Sequence, residues 1–295
     1  MGGLLVALKV LRDTWMGWQE DQAARQGAAL AFYALFSVAP LLLVATAVAG
    51  AVFGPEAAAE RLDAQLRVLL TPEVADALSA LVQDAYEGSG FAAGTVGALT
   101  SLYAGGRGFF HLQATLNHMW GVRVQRQGGL RPTVQRHFVA FASVALCGIL
   151  LLASIVGTMI IATMADLAPF PHHWMMLRTT QEITTFLLVW ILLSVIYKTL
   201  PDAWVRWQDV AIGAAFTAVL FLIGKEAVAI YVHEIGLRSS FGAAGALVII
   251  LVFSYYTAQV MLFGAELTYQ IARHRGVPVR PRHGASRMVR TPVAD

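Results

Sequence analysis

LFLIGKEAVAIYV, Leu220 to Val232, sets a lysine beside a glutamate inside a stretch that otherwise reads as hydrocarbon. The fold turns on whether this stretch crosses a membrane. The chain has 295 residues, 57% of them hydrophobic and only 13% charged, with a mean hydropathy of +0.63. Soluble domains carry about 25% charged residues, so a soluble fold of this length would lack the polar surface to cover itself. The stretch therefore reads as part of a membrane span.

Outward from it, six segments are long and apolar enough to cross a hydrocarbon core of about 30 Å, which takes roughly 20 helical residues. They run at about 27–53, 89–106, 137–164, 180–197, 208–232 and 241–267. Helix is the expected state, because backbone groups in lipid must be satisfied within the segment. With the N-terminus inside, 16 of the 21 lysines and arginines fall in cytoplasmic pieces. Lipid-exposed topology follows that bias. The sequence thus predicts an all-α polytopic bundle of six transmembrane helices, N-in and C-in, in one membrane domain over 1–276. Residues 277–295, with scattered arginines and prolines, read as a disordered cytoplasmic tail. Met1 to Trp18 has no early basic region and no A-x-A site, so no cleavable signal peptide is expected.

The pI near 9.2 reports this topology rather than nucleic-acid binding. Arginines on the inner face, Arg107, Arg123 and Arg126 among them, are candidate contacts for anionic lipid headgroups. The single cysteine, Cys147, excludes a disulfide framework and a cysteine zinc site. No cofactor is expected, and homo-oligomerisation is left open.

Three connections have character. Leu4, Leu8, Leu11, Trp15 and Trp18 recur at four- and three-residue steps, which makes an amphipathic helix. It lies either in the inner interface or against the bundle. Between the first two spans, Leu62, Leu66 and Leu69 form one stripe and Val74, Leu78, Leu81 and Ala85 another. Acidic residues surround them, and Thr71 and Pro72 suit an N-cap and a first helical position. An external helical hairpin is expected. After the second span, Phe109, Leu112, Leu116 and Met119 mark the apolar face of a short helix at the inner boundary. His111, Gln113, Asn117 and His118 lie elsewhere on it.

Polar residues inside spans are candidates for function. Lys225 lies roughly 25 Å along its span from Gln208 at 1.5 Å per residue, close enough to the outer boundary for snorkelling to explain it. It stands in line with Ala214, Ala218 and Ala229, beside Gly213, Thr217 and Gly224, and small residues mark close helix contact. Lys225 is expected to face the bundle and Glu226 the rim. Adjacent residues point about 100° apart, so the two are not expected to pair. In the sixth span Tyr255, Gln259, Glu266 and Gln270 form a polar stripe that either lines a cavity or caps the inner bundle. In the first span Tyr33, Ser37 and Pro40 share a face, and proline frees a backbone carbonyl. Such broken helices line transport sites and are equally well tolerated as packing kinks.

Five stretches together resemble the YihY/BrkB family of bacterial inner-membrane proteins. They are QGAALAFYALFSVAPLLL (Gln26 to Leu43), QATLNHMWGV (Gln113 to Val122), VIYKTLPDAWVRWQDVAIGA (Val195 to Ala214), IGKEAVAIYV (Ile223 to Val232) and LFGAELT (Leu262 to Thr268). The resemblance spans roughly Trp15 to Gly276 and implies a six-span bundle in the bacterial cytoplasmic membrane. It supplies no active-site residues, and the family's former label, ribonuclease BN, is regarded as a misassignment. The residues agree, since a metal-dependent nuclease needs clustered carboxylates and histidines. His172 and His173 have no ligand set near them, and no H-E-x-x-H motif occurs. The expected protein is not an enzyme. It is a transporter or translocator of a lipid or small anionic solute, with a non-catalytic membrane scaffold or envelope assembly factor as the alternative.

Overall fold

The computed structural model describes residues 2–53, 60, 63–64, 66–67, 70–88, 106–124, 173–235, 244–277, 279–282 and 285–287. Helix dominates them. In chain order these are α1 (Gly2–Glu20), α2 (Ala23–Phe53), α3 (Pro72–Gly88), α4 (106–119), α5 (His173–Thr199), α6 (Trp207–Ile235) and α7 (Ala244–His274). Four short strands accompany them: β1 (Val122–Val124), β2 (Ala203–Trp204), β3 (Arg280–Pro281) and β4 (Ala285–Arg287).

Segments of α5, α6 and α7 are each long and apolar enough to cross a membrane: Glu182–Thr199, Trp207–Glu234 and Gly245–His274. They match the fourth, fifth and sixth expected spans. Helix α2 coincides with the first and carries one charged residue, Arg25, in its 31. The expected spans at 89–106 and 137–164 lie outside the described residues, apart from Gly106 at the start of α4, and Arg126 lies outside them too.

The long helices alternate in direction. Helix α2 starts beside the middle of α7, where Gln259 Nε2 donates to Ala24 O at 3.1 Å, while the end of α5, the start of α6 and the end of α7 meet at one pole, fixed by Arg275 against Asp209 at 2.7 Å. The four strands gather there, so we call it the strand pole. At the opposite, hairpin pole, α3 buries Val74, Ala75, Ala77 and Leu78 against Val228, Val232, Ile249 and Ile250. Thr71 Oγ1 accepts from Val74 N–H at 3.4 Å, so Thr71 caps α3 and Pro72 opens it as its sequence implies.

Between α6 and α7 the backbones approach closely. A methyl group at Gly213 would overlap Thr268 Oγ1, one at Gly264 would overlap Thr217 Oγ1, and one at Gly224 the Tyr256 ring. Each glycine thus receives a polar side chain from the facing helix. The hydroxyls are satisfied within the seam: Thr217 donates to Gly213 O at 2.7 Å, Thr268 to Gly264 O at 2.8 Å and Tyr256 to Leu220 O at 2.7 Å. Close approach at small residues, rather than hydrophobic force, is what drives helices together in lipid.

The structure departs from or adds to the sequence reading at three places. The stretch after Gly276, expected to be disordered, contains β3 and β4. β4 pairs antiparallel with β1 and β3 with β2. Gly276, at φ +70°, ends α7 in a Schellman turn, with Val277 N–H on Ala272 O at 3.1 Å, and so turns the chain back towards the loops it pairs with. Helix α4 buries Leu112, Leu116 and Met119 in the core, and of its polar residues Gln113, Thr115 and Asn117 are buried too, while Arg107 and His118 are exposed. Helix α1 docks on α7 through Val10, Thr14 and Gly17, which are buried. Its expected apolar face, Leu8, Leu11 and Trp15, is left exposed together with Leu5 and Met16. The docked alternative is the one its contacts show.

Candidate functional site

Helix α7 borders two cavities, one near its middle and one at its end. The first, of about 400 Å³, is walled by α2, α3, α4 and α7 and by Leu66 and Leu70 just before α3. Its lining is almost wholly apolar, with Leu30, Leu42, Leu78, Leu112, Phe253 and Met261 among it. Hydroxyls from Tyr33, Ser37, Ser254 and Thr257 interrupt the hydrocarbon. Ser37 Oγ is spent on its own helix, donating to Ala34 O at 3.2 Å. Thr257 Oγ1 is buried and has no hydrogen-bond partner among the described residues. Small-molecule sites occupy about 300–1,000 Å³ and combine apolar walls with few polar groups, and this cavity matches that description. Tyr33 also packs its ring on His111, centroids 5.5 Å apart. Two of the three candidates on α2 thus reach the cavity. Pro40 lies within the continuous helix of α2.

The polar stripe on α7 splits. Tyr255 is 40% exposed and turns away from the cavity. Gln259 is held by Ala24 O and closes over Gly27, where a methyl group would overlap its amide. Glu266 and Gln270 are buried, and Gln270 Nε2 donates to Glu266 Oε1 at 2.7 Å. Both pack on Gly17 of α1. The stripe is therefore mainly a joint that fastens α1 and the start of α2 to α7.

Below the joint lies the second cavity, a polar cleft of about 520 Å³ between α1, the end of α7 and the strands. Asp13 and Glu20 stand on its α1 wall, Arg273 and Arg287 opposite, with Gln270, Trp120 and Tyr269 between. Asp13 Oδ2 lies 3.4 Å from His274 Nε2.

Lys225 and Glu226 differ as their helix geometry implies: the lysine side chain is 17% exposed and the glutamate 72%. The expectation that they do not pair is corrected. Lys225 Nζ lies 3.9 Å from Glu226 Oε1, because two long side chains span the angle between their Cβ atoms. Neither residue lines a cavity described above.

One polar cluster among the described residues was not visible in the sequence. Asn117 Nδ2 donates to Asp202 Oδ2 at 2.9 Å and Asn117 Oδ1 accepts from Asp202 N–H at 2.8 Å, while Gln113 adds a third bond at 3.3 Å. Arg282 N–H bonds Asp202 O at 2.9 Å, and Lys198 donates to Val205 O beneath the rings of Trp204 and Trp207. Tyr197 O–H donates to Met261 O at 2.6 Å and Trp120 Nε1 to Ala265 O at 3.0 Å. QATLN and YKTLPDAW, two of the stretches quoted for the family resemblance, are thus the halves of one buried node. The sequence signal was the pair of amides, Gln113 and Asn117, set away from the apolar face of α4. Arg123 contributes backbone to β1 and is exposed, as is Arg107 on α4. Among the described residues no three His, Cys, Asp or Glu side chains gather as metal ligands.

A family model described as Virulence factor BrkB matches residues 14–289. Similar curated proteins are named UPF0761 membrane proteins. One from Halorhodospira halophila is 27% identical over 264 residues, 87% of this chain and 56% of its own length. One from Stenotrophomonas maltophilia is 23% identical, covering 94% and 64%. One from Cronobacter sakazakii is 26% identical, covering 93% and 91%. The chain spans roughly half to two thirds of the first two relatives. No solved structure matches.

Proposed function

The chain belongs to the Virulence factor BrkB family, and on that premise we propose that this membrane protein translocates a lipid across the bacterial cytoplasmic membrane. Six spans with both poles of the chain's ends, and hence the strand pole, on the cytoplasmic side form the accompanying topology. Exposed Arg107 and Arg123 then meet anionic headgroups of the inner leaflet.

The observation that carries this reading is the apolar cavity with its partnerless Thr257 hydroxyl. An acyl chain fits such walls, and an ester carbonyl is the acceptor that a buried hydroxyl lacks. A small anionic solute is less well served, because Lys225 lies off the cavity and beside Glu226. The described part of the external hairpin also offers a scaffold partner less charge than its composition suggests. Arg67 binds both Asp63 and Asp76, at 2.7 and 2.8 Å.

Reconstituted protein should move a fluorescent phospholipid between vesicle leaflets. Ser254→Trp, which fills the cavity, should slow that movement severalfold, and Lys225→Ala should slow it less. Absence of flux with every lipid tested would favour the scaffold reading.

A further inference from the structure

The polar cleft at the strand pole is unlike an ordinary surface groove. Its charges are sorted, with carboxylates on the α1 wall and guanidinium groups on the facing wall of α7 and β4. Between the walls sits Gln270, 4% exposed. Its Nε2 is committed to Glu266, and its Oε1 is buried with no donor among the described residues. A buried acceptor without a donor is costly, so an N–H group brought into the cleft meets an unmet need there. A ligand matching both walls carries an ammonium group at one end and an anion a few bonds away.

The same cleft adjoins the membrane-facing side of α1. Met16 lines it and belongs to the exposed apolar face that includes Leu5, Leu8, Leu11 and Trp15. A helix with such a face lies in the headgroup and acyl boundary, which places the mouth of the cleft at headgroup depth.

We propose that this cleft binds a phosphoethanolamine group, with the ammonium held by Asp13, Glu20 and Gln270 Oε1 and the phosphate by Arg273 and Arg287. The inference deepens the translocation reading and rests on it for the lipid as the source of the group. A trimethylated ammonium has the same charge but no N–H, so Gln270 discriminates against choline.

Native mass spectrometry of the full chain, delipidated in detergent and titrated with short-chain phosphatidylethanolamine, phosphatidylcholine and phosphatidylglycerol, tests this. Ethanolamine lipid should bind about tenfold more tightly than choline lipid, the worth of one charge-assisted hydrogen bond. Gln270→Leu should abolish that preference, and Arg287→Gln should weaken both lipids while retaining it. Equal binding of the two lipids by the unaltered protein overturns the proposal, as does a preference that survives Gln270→Leu. If Gln270→Leu does not fold, Asp13→Asn serves instead and should narrow the preference. Free phosphoethanolamine competing as well as the lipid would make a soluble zwitterion the source. Headgroup selectivity without leaflet movement would sink translocation and leave the cleft assignment standing, and movement without selectivity would do the reverse.

Discussion

The two poles of this bundle are held together by different physics. At the strand pole, side chains bond to distant backbone and to each other: Asn117 and Gln113 to Asp202, Trp120 to Ala265 O, Arg275 to Asp209. At the hairpin pole α3 meets α6 and α7 through Val74, Leu78, Val228, Ile249 and their neighbours, and the apolar cavity opens beside them. Directional bonds fix one geometry, whereas apolar surfaces tolerate sliding when volume is conserved. The pole with the bonds is built to stay in register, and the cavity beside the other pole is where the translocation proposal places its guest.

The contrast can be broken most severely at Asp209. This carboxylate is buried, and its partner Arg275 is half exposed. Arg275→Ala leaves a buried charge without its cation and should cost about 3 kcal/mol, read as a fall in the thermal midpoint of the detergent-purified protein. Asp202→Ala removes the acceptor of Asn117 and Gln113 and should cost about 2 kcal/mol. Pairing it with Asn117→Ala in a double-mutant cycle should show strong coupling, and additivity would deny the node. Thr257→Val, at the cavity, sharpens the comparison in the opposite sense. Removing a partnerless hydroxyl should raise stability by up to about 1 kcal/mol while slowing lipid movement.

The smallest effect is acid. Burial pushes the Asp63 carboxyl up, but hydrogen bonds from Arg67 and Ser79 and the charge of Arg67 outweigh it and hold it below its ordinary value of 3.8. Its contribution to the hairpin is complete above that value and is lost as pH falls through the lowered one. Limited proteolysis of the hairpin should rise slightly only below about pH 4, and a change centred nearer neutrality would point to other groups.

Much of the scaffold was legible because lipid imposes simple rules. Length and apolarity located α2, α5, α6 and α7, and the glycine and threonine spacing on α6 identified its contact face. Thr71 and Pro72 announced the start of α3 through local backbone chemistry. What escaped is non-local. Nothing near Asn117 signals that its partner is Asp202, 85 residues on, so the sequence placed the amides of α4 away from its apolar face and no further. The strands after Gly276 have no period to detect at two or three residues each, and they exist only because loops far upstream present free backbone edges. Of the candidate site, Tyr33 and Ser37 reach the apolar cavity, and Gln270 of the α7 stripe reaches the cleft. Thr257 and the pairing of Lys225 with Glu226 depend on rotamers that spacing does not reveal.

The strand pairings also set an order of assembly. β4 lies against β1 and β3 against β2, with Arg282 reaching back to Lys198 O and Asp202 O. Residues 280–287 leave the ribosome after every described helix has been made. The earlier helices must therefore enter the bilayer with two loop edges still uncovered, and a nascent chain halted before Arg280 would hold all seven described helices yet keep that pole unlatched.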